Sequence, residues 1–348
     1  MQDCNINTSV VIPIRNEERY IKQCIESLIR QDYPADKMEI FFVDGRSTDK
    51  TRDIVMKYSS EHKHIHLLDN QYKTVPYAMN IGIRASSGRF IVRKDAHSIY
   101  AEDYISQCVS CLEKTGADNV GGVVQTRGRG FWGNVIAMVL SSRFGVGNSS
   151  FRVGAKDGYV DTVPFGAFRR EVFEKYGYYD VRLTRNQDNE MNYRIRKNGG
   201  KVYLSNDIKL TYFCRDSVGN LARMGFQNGK WNVITSFLCP GTMGVRHFIP
   251  MLFVLSLLTI GLFSMFFQHS LWPYLLLAEV MCYGLLDVCF SINLAMRSGF
   301  KYFLPLIILY PLFHICYGFG SLMGFVNSIV WKKRRCSVGG GESDASGG

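Results

Sequence analysis

Short apolar runs alternate with helical patterns through the first hundred residues. Thr8-Ser-Val-Val-Ile-Pro-Ile14 is a β-branched run that reads as a buried strand, closed by the polar Arg15-Asn-Glu-Glu18. From Glu18 to Arg30 the apolar residues Ile21, Ile25, Leu28 and Ile29 fall at helical spacing. Glu39-Ile-Phe-Phe-Val43 predicts a second buried strand, ending in Asp44-Gly-Arg-Ser-Thr-Asp49, and Thr51 to Tyr58 a helix. His64-Ile-His-Leu-Leu68 predicts a third strand, Tyr77 to Ala85 a helix, and Arg89-Phe-Ile-Val-Arg93 a fourth strand ending in Lys94-Asp-Ala-His97. Strands alternating with helices predict a mostly parallel sheet flanked by helices, an α/β class whose ligands sit at strand C-termini. Residues 120 to 215 show no single period, and Leu221 to Trp231 reads as an amphipathic or interfacial helix.

The pattern then changes. From Phe248 to Trp331 the chain is almost continuously apolar, with candidate membrane spans at Ile249–Phe267, Leu271–Asn293 and Phe303–Val330. The expected division is therefore a globular domain over 1–240, a membrane-anchoring region of two to four apolar segments over 241–335, and a disordered Gly/Ser-rich tail over 336–348. The first connection, Gln268-His-Ser270, lacks Lys and Arg, whereas Arg297 and Lys301 flank the second. The positive-inside rule thus places the globular domain and residues 297–301 in the cytoplasm. Three full spans would leave Lys332-Lys-Arg-Arg335 on the far side, so Pro305, Pro311, Gly318 and Gly320 suggest a break in the last segment that returns the tail. Glu279 and Asp287, inside the second span, should face protein or an aqueous groove.

Composition narrows the function classes. The 348 residues are 47% hydrophobic and 20% charged, which excludes a disordered or fibrous chain. The formal net charge of +11 lacks any Lys/Arg block interleaved with aromatics in the globular part, so no nucleic-acid partner is expected. The ten cysteines fit a reduced compartment, and Cys108/Cys111, the one C-x-x-C pair, reads as two small residues on a buried helix face. The triplet His62, His64 and His66 reads as a solvated strand end. The chain enters a strand within ten residues, which predicts no signal peptide.

Three acidic sites recur at strand or helix ends. Asp44, at a strand end beside a helix N-terminus, suits a base or ribose, and the backbone amides there suit an anion. Asp95 and His97 are ligand-type side chains at i, i+2, able to share one divalent ion with a nucleotide diphosphate, Mn²⁺ ahead of Mg²⁺. Asp188, in Asn186-Gln-Asp-Asn-Glu190, opens a helix and suits a general base.

With these residues in place, the chain resembles the family 2 glycosyltransferases of GT-A fold. The resemblance rests on Ser9-Val-Val-Ile-Pro-Ile-Arg-Asn-Glu-Glu18, Phe42-Val-Asp-Gly-Arg-Ser-Thr-Asp-Lys-Thr51 and Asn80-Ile-Gly-Ile-Arg-Ala-Ser-Ser-Gly88. Arg93-Lys-Asp-Ala-His97 and Phe144-Gly-Val-Gly-Asn-Ser-Ser-Phe-Arg152 resemble in particular the succinoglycan-type bacterial exopolysaccharide glucosyltransferases. The resemblance implies that Pro13, Glu17, Asp44 and Asp95 bind the nucleotide-sugar, that Asp95 and His97 hold Mn²⁺ or Mg²⁺, and that Asp188 is the catalytic base of an inverting transfer. Arg93, Lys94 and Arg152 would offset diphosphate charge, while Gln227, Lys230 and Trp231 would line the acceptor site. The departures are His97 for an Asp, Gln187 for a Glu and Lys230 for an Arg. The implied protein is a multi-pass inner-membrane enzyme with a cytoplasmic catalytic domain. It would move a sugar, glucose first, from a UDP-sugar to a polyprenyl-diphosphate-linked glycan for an exopolysaccharide. The rivals are a polyprenyl-phosphate glycosyltransferase, a processive synthase and a non-catalytic nucleotide-sugar-binding scaffold.

Overall fold

The structure, a computed structural model, describes residues 6–154 and 156–339, with side chains to residue 330. By its packing the chain divides into two compact units. One joins Met1–Arg127 to Asn148–Cys214, and the other joins Gly128–Gly147 to Arg215–Gly348. This division differs from the contiguous one expected at residue 240: an insertion near residue 130 and the helix after residue 217 group with the apolar segments.

The first unit begins β1 (Thr8–Ile14), α1 (Ile21–Ile29), β2 (Met38–Asp44), α2 (Thr51–Glu61), β3 (Ile65–Asp69), α3 (Val75–Ala85) and β4 (Phe90–Arg93). It continues through β5 (Ser98–Tyr100), α4 (Tyr104–Thr115) and β6 (Asn119–Arg127). After the insertion, which forms α5 (Gly130–Ser141) and α6 (Arg143–Val146), come α7 (Ser150–Val153), β7 (Gly158–Tyr159), β8 (Ala167–Arg169), α8 (Glu171–Tyr176), α9 (Gln187–Lys197) and β9 (Val202–Phe213). The sheet order is β3-β2-β1-β4-β8-β6-β9-β5, with β7 on β9. β3, β2, β1 and β4 run parallel, and β8 is antiparallel to both β4 and β6. Strand alternation feeds two cores. Val10 and Ile12 pack with Ile21, Leu28, Val55, Tyr104 and Leu112 on one face. Val11, Phe41 and Val43 pack with Met79, Ile83, Phe173 and Ile195 on the other. Burial on both sides explains why β1 and β2 read as unbroken apolar runs.

In the second unit α10 (Val218–Leu238) precedes α11 (Ile249–Phe266), α12 (Trp272–Ser298) and α13 (Phe303–Gly339). Segments Val245–Phe266, Trp272–Ser298 and Phe300–Val330 are long and apolar enough to cross a membrane. The expected break in the last segment does not occur: α13 is one helix with Pro311 inside it, and it runs on to Gly339. Its glycines serve packing instead. Gly225 and Gly229 of α10 face α13, and Gly320 and Gly324 of α13 face α10. A Cβ at Gly225 would lie 2.9 Å from the Phe313 carbonyl oxygen, and one at Gly324 2.5 Å from that of Lys230. The seam is a close approach of two backbones through small residues at i, i+4, with the Asn232 amide donating to the Tyr317 hydroxyl across it. Glu279 and Asp287 meet protein as expected, the first paired with Ser256 of α11 and the second accepting from Ser291. The Lys332–Arg335 side chains and residues 340–348 of the expected tail lie outside the described residues.

The seam predicts opposite signs for one substitution at two places. Gly219→Ala meets open space and should gain up to about 1 kcal/mol of helix propensity. Gly229→Ala runs into the Tyr317 carbonyl and Ser321 and should cost about 1–3 kcal/mol. Thermal unfolding in detergent of both variants reads this directly; equal shifts would contradict the seam.

Candidate active site

Parallel pairing brings the C-termini of β1, β2 and β4 to one edge, with Ile14 beside Asp44 and Val11 beside Arg93. The two loops that follow β1 and β2 are laced together. The Asn16 amide donates to the Ser47 hydroxyl at 2.9 Å and the Glu17 amide to the Thr51 hydroxyl at 2.7 Å. The Thr48 amide donates to the Asn16 side chain at 2.8 Å and the Glu18 amide to Asp49 at 3.1 Å. Asn16 and Arg46 hold left-handed backbone, φ 56° and 57°, which makes the two turns compact enough to interlock. Both acidic stretches read from the sequence are thus parts of one scaffold. A third piece locks onto it: Asn80 exchanges two hydrogen bonds of 2.9 Å with the Tyr179 backbone, Gly82 lies against Val11, and the Gly88 amide donates to Ser9 at 2.8 Å.

Asp44 is fully buried. Its carboxylate accepts from the Ser47 amide and hydroxyl, the latter at 2.6 Å, and pairs with Arg52 at 3.2 Å. It is turned into its own loop and holds the Gly45–Ser47 turn. Pro13, near the end of β1, and Glu17, in the loop after it, are partly exposed.

The end of β4 carries three charged residues in a row, and strand alternation sends neighbours to opposite sides. Lys94 points inward and is fully buried. Its Nζ sits 4.1 Å from the Tyr100 ring centre and 4.7 Å from that of Tyr104, with no hydrogen-bond partner among the described residues. Burial pushes this amine down to about 7, and the same burial pushes the neighbouring Cys24 and Cys108 thiols up to about 12. Lys94 therefore cannot offset diphosphate charge as the resemblance implied. Arg93 cannot do so either. Its guanidinium is 4% exposed and spends its charge inside the protein, on Asp188 through Nη1 and on Asp95 through Nη2 at 3.8 Å.

Asp95, between them in role, keeps its side chain 19% exposed, and its amide donates to the Tyr100 hydroxyl at 2.7 Å. Nδ1 of His97 lies 3.7 Å from a Glu17 carboxylate oxygen, and its ring meets Tyr212 edge-on at 5.7 Å. The Arg152 guanidinium stands 5.6 Å from the centre of the Tyr212 ring and donates to Thr126 at 3.3 Å. Among the described residues no group of three or more His, Cys, Asp or Glu could hold a metal ion by itself, the histidine triplet included. His66 instead stacks on Phe41.

Asp188 opens α9 immediately after Asn186, whose left-handed φ of 62° turns the chain into the helix. Gln187 beside it is 8% exposed, a place where a neutral amide costs less than a carboxylate would. Burial raises the Asp188 carboxyl above its ordinary value; Arg93 pulls against that rise and Asp95 adds to it. The result is a carboxylate more basic than a surface aspartate, held at one oxygen. The side chain remains 23% exposed. Gln227, Lys230 and Trp231 lie in the second unit, on α10, all partly buried.

Sequence reasoning missed Tyr179, Tyr100 and the pairing of Arg93 with Asp188. Only the alternation at Arg93-Lys-Asp95 carried a signal for the last.

Residues 9–177 match the family described as Glycosyl transferase family 2. A dolichyl N-acetyl-alpha-D-glucosaminyl phosphate 3-beta-D-2,3-diacetamido-2,3-dideoxy-beta-D-glucuronosyltransferase of Methanococcus voltae is 26% identical over 91% of this chain and 97% of its own length. The succinoglycan biosynthesis protein ExoA of Rhizobium meliloti (strain 1021) is 28% identical over 70% of this chain and 74% of its own. Among solved structures, the mannosyltransferase PcManGT of Pyrobaculum calidifontis, in complex with GDP-mannose and Mn²⁺, aligns with a TM-score of 0.57 at 18% identity, covering 91% of this chain and 87% of that one. The chain therefore carries a family 2 glycosyltransferase domain of GT-A fold, and it is a glycosyltransferase.

Proposed function

We propose that this enzyme moves a hexose, with glucose the first candidate, from UDP to a polyprenyl-diphosphate-linked oligosaccharide, inverting the anomeric configuration, in the assembly of a bacterial surface glycan. The observation that carries the reading is Asp188, basic, anchored at one oxygen and joined through Arg93 to Asp95 at the strand edge. Support for a lipid-linked acceptor comes from the Methanococcus voltae relative, whose name describes action on a dolichyl-linked sugar phosphate, and from the three apolar helices. Support for an exopolysaccharide comes from the succinoglycan relative.

In this reading Pro13 and Glu17 border the nucleoside, and Asp44 shapes the turn that meets it. The free oxygen of Asp188 takes the proton of an acceptor hydroxyl. The acceptor oxygen attacks the anomeric carbon from the face opposite the diphosphate, the bond to the diphosphate oxygen breaks, and UDP leaves with that electron pair. Asp95 and His97 would hold a divalent ion: one carboxylate and one imidazole at i, i+2 would leave the remaining positions to diphosphate oxygens and water. Such an ion would neutralise charge on the departing diphosphate. Gln227, Lys230 and Trp231 are assigned to the acceptor. The Lys/Arg asymmetry of the first two short connections supports a cytoplasmic catalytic domain.

A pH profile follows from Asp188. Because its carboxyl is raised and must be ionised to accept a proton, transfer should be full above its pKa and fall as pH drops through it. The acid limb should therefore lie above the ordinary aspartate range. Initial rates across the acidic range read this, and a flat profile down to the ordinary aspartate value would contradict it. The donor class is tested by calorimetric titration with UDP, GDP and CMP in the presence of Mn²⁺. UDP should bind at least tenfold more tightly than the others; equal or reversed affinities would overturn the UDP assignment.

A further inference from the structure

We infer that Arg93 is the positioning residue of the catalytic base: it holds one oxygen of Asp188, leaves the other for the acceptor hydroxyl, and ties the base to the donor loop through Asp95. The inference rests on the proposed role of Asp188 and goes beyond it. The guanidinium is 4% exposed and sits between two carboxylates that come from different parts of the chain, Asp95 just after β4 and Asp188 in the first turn of α9, the latter 95 residues from Arg93. Its Nε is buried without a partner among the described residues, so the group is placed there by the carboxylates and not by its own full satisfaction. The rings of Phe165 and Tyr179 stand 5.9 and 6.0 Å from its centre and pack beside the guanidinium. Its own backbone is fixed, since the Arg93 amide donates to the Gly166 carbonyl at 3.0 Å in the β4–β8 pairing.

A planar fork can reach two carboxylates at once, which an ammonium cannot do at the same geometry. With Nη1 on Asp188 and Nη2 toward Asp95, rotation of the Asp188 carboxylate is stopped, and the distance between base and donor loop is set by one rigid group. The Arg93 guanidinium is 4% exposed and committed to the two carboxylates, so its contribution runs through Asp188.

The experiment uses the full-length protein in membranes or detergent. For wild type, Arg93→Lys, Arg93→Met, Asp188→Asn and the double variant Arg93→Met/Asp188→Asn, it measures UDP affinity with Mn²⁺, kcat and KM for transfer, and thermal unfolding. Arg93→Met should lose roughly 100-fold in kcat while the UDP Kd stays within about threefold. Added guanidinium or ethylguanidinium should restore its rate at least about fivefold and leave wild type unchanged. Arg93→Lys should fall between the two without rescue. The double variant should be no slower than Asp188→Asn alone, because the positioned group is already gone. It should also unfold at a higher temperature than Arg93→Met, since the carboxylate left without its partner has been removed. The inference is overturned if UDP affinity falls in step with kcat, if guanidinium gives no rescue, or if the two substitutions multiply. Should Arg93→Met not fold, Arg93→Lys and the double variant carry the same comparison. A wild type that binds UDP and transfers sugar while these variants fail the pattern refutes Arg93 alone; a wild type with no UDP binding refutes the underlying function.

Discussion

Asp188→Asn should lower sugar transfer by about 10²–10⁴-fold while UDP binding stays within a few-fold of wild type. The amide keeps the shape of the carboxylate but has no basicity, so the acceptor hydroxyl must attack the anomeric carbon as a neutral alcohol. Arg93 keeps Asp95 as a counter-charge, so the fold at the strand edge survives the change. In the proposed reading donor binding draws on the loops after β1 and β2, whose mutual hydrogen bonds do not involve Asp188, and on Asp95. The residual rate should also lose the acid limb of the wild-type profile, because the group responsible for it no longer titrates. Full transfer by Asp188→Asn would remove the base assignment, and a parallel loss of UDP binding would reassign the residue to the donor site.

Asp95→Asn should weaken Mn²⁺-dependent UDP binding by roughly 10–100-fold. An amide oxygen is a far poorer ligand than a carboxylate for a hard cation. His97→Ala should weaken the same binding by less, since water can replace an imidazole at an exposed position and Glu17 stands nearby. The two variants separate by metal dependence. Raising Mn²⁺ should recover UDP binding in His97→Ala and only partly in Asp95→Asn. Unchanged metal titration curves in both would leave Asp95 and His97 without a ligand role.

The sequence exposed the front of the fold well. β1, β2 and β4 are rich in Val, Ile and Phe and mostly buried, so their apolar character shows without knowledge of their partners, and each boundary of β1 to β4 lies within a residue or two of the expected one. Residues 120 to 215 stayed opaque for a physical reason. β8 is three residues long and owes its existence to pairing with both β4 and β6, and β6 finds its parallel partner β9 some eighty residues later across a bulge at Gly122/Val123. No local period encodes such pairing.

The glycines of the last span show a different limit. Gly318 and Gly320 in an isolated helix argue for a break, yet against a neighbouring backbone the same residues permit a close approach, and only the partner helix reveals which applies.

At the candidate site, Asp95 and Asp188 stood out in the sequence because acids at strand and helix ends are a chemical signal, and the structure joins both to Arg93. Arg93 and Lys94 were not separable as types. One turns to the carboxylates and the other into an aromatic pocket, a consequence of β4 placing successive side chains on opposite faces. Asp44 carries a task that its place at a strand end did not reveal: it accepts from the Ser47 amide and hydroxyl and so holds its own turn.

The most direct test of the account is label transfer in membranes that contain this protein. Radiolabelled UDP-glucose, UDP-galactose and UDP-N-acetylhexosamines would be offered with Mn²⁺ to wild type and Asp188→Asn, and organic-extractable label counted. The account predicts lipid-extractable label from one UDP-sugar, UDP-glucose first, and its loss in Asp188→Asn. Label that appears equally in Asp188→Asn, or no label from any donor in membranes supplied with lipid-linked oligosaccharide, would contradict it.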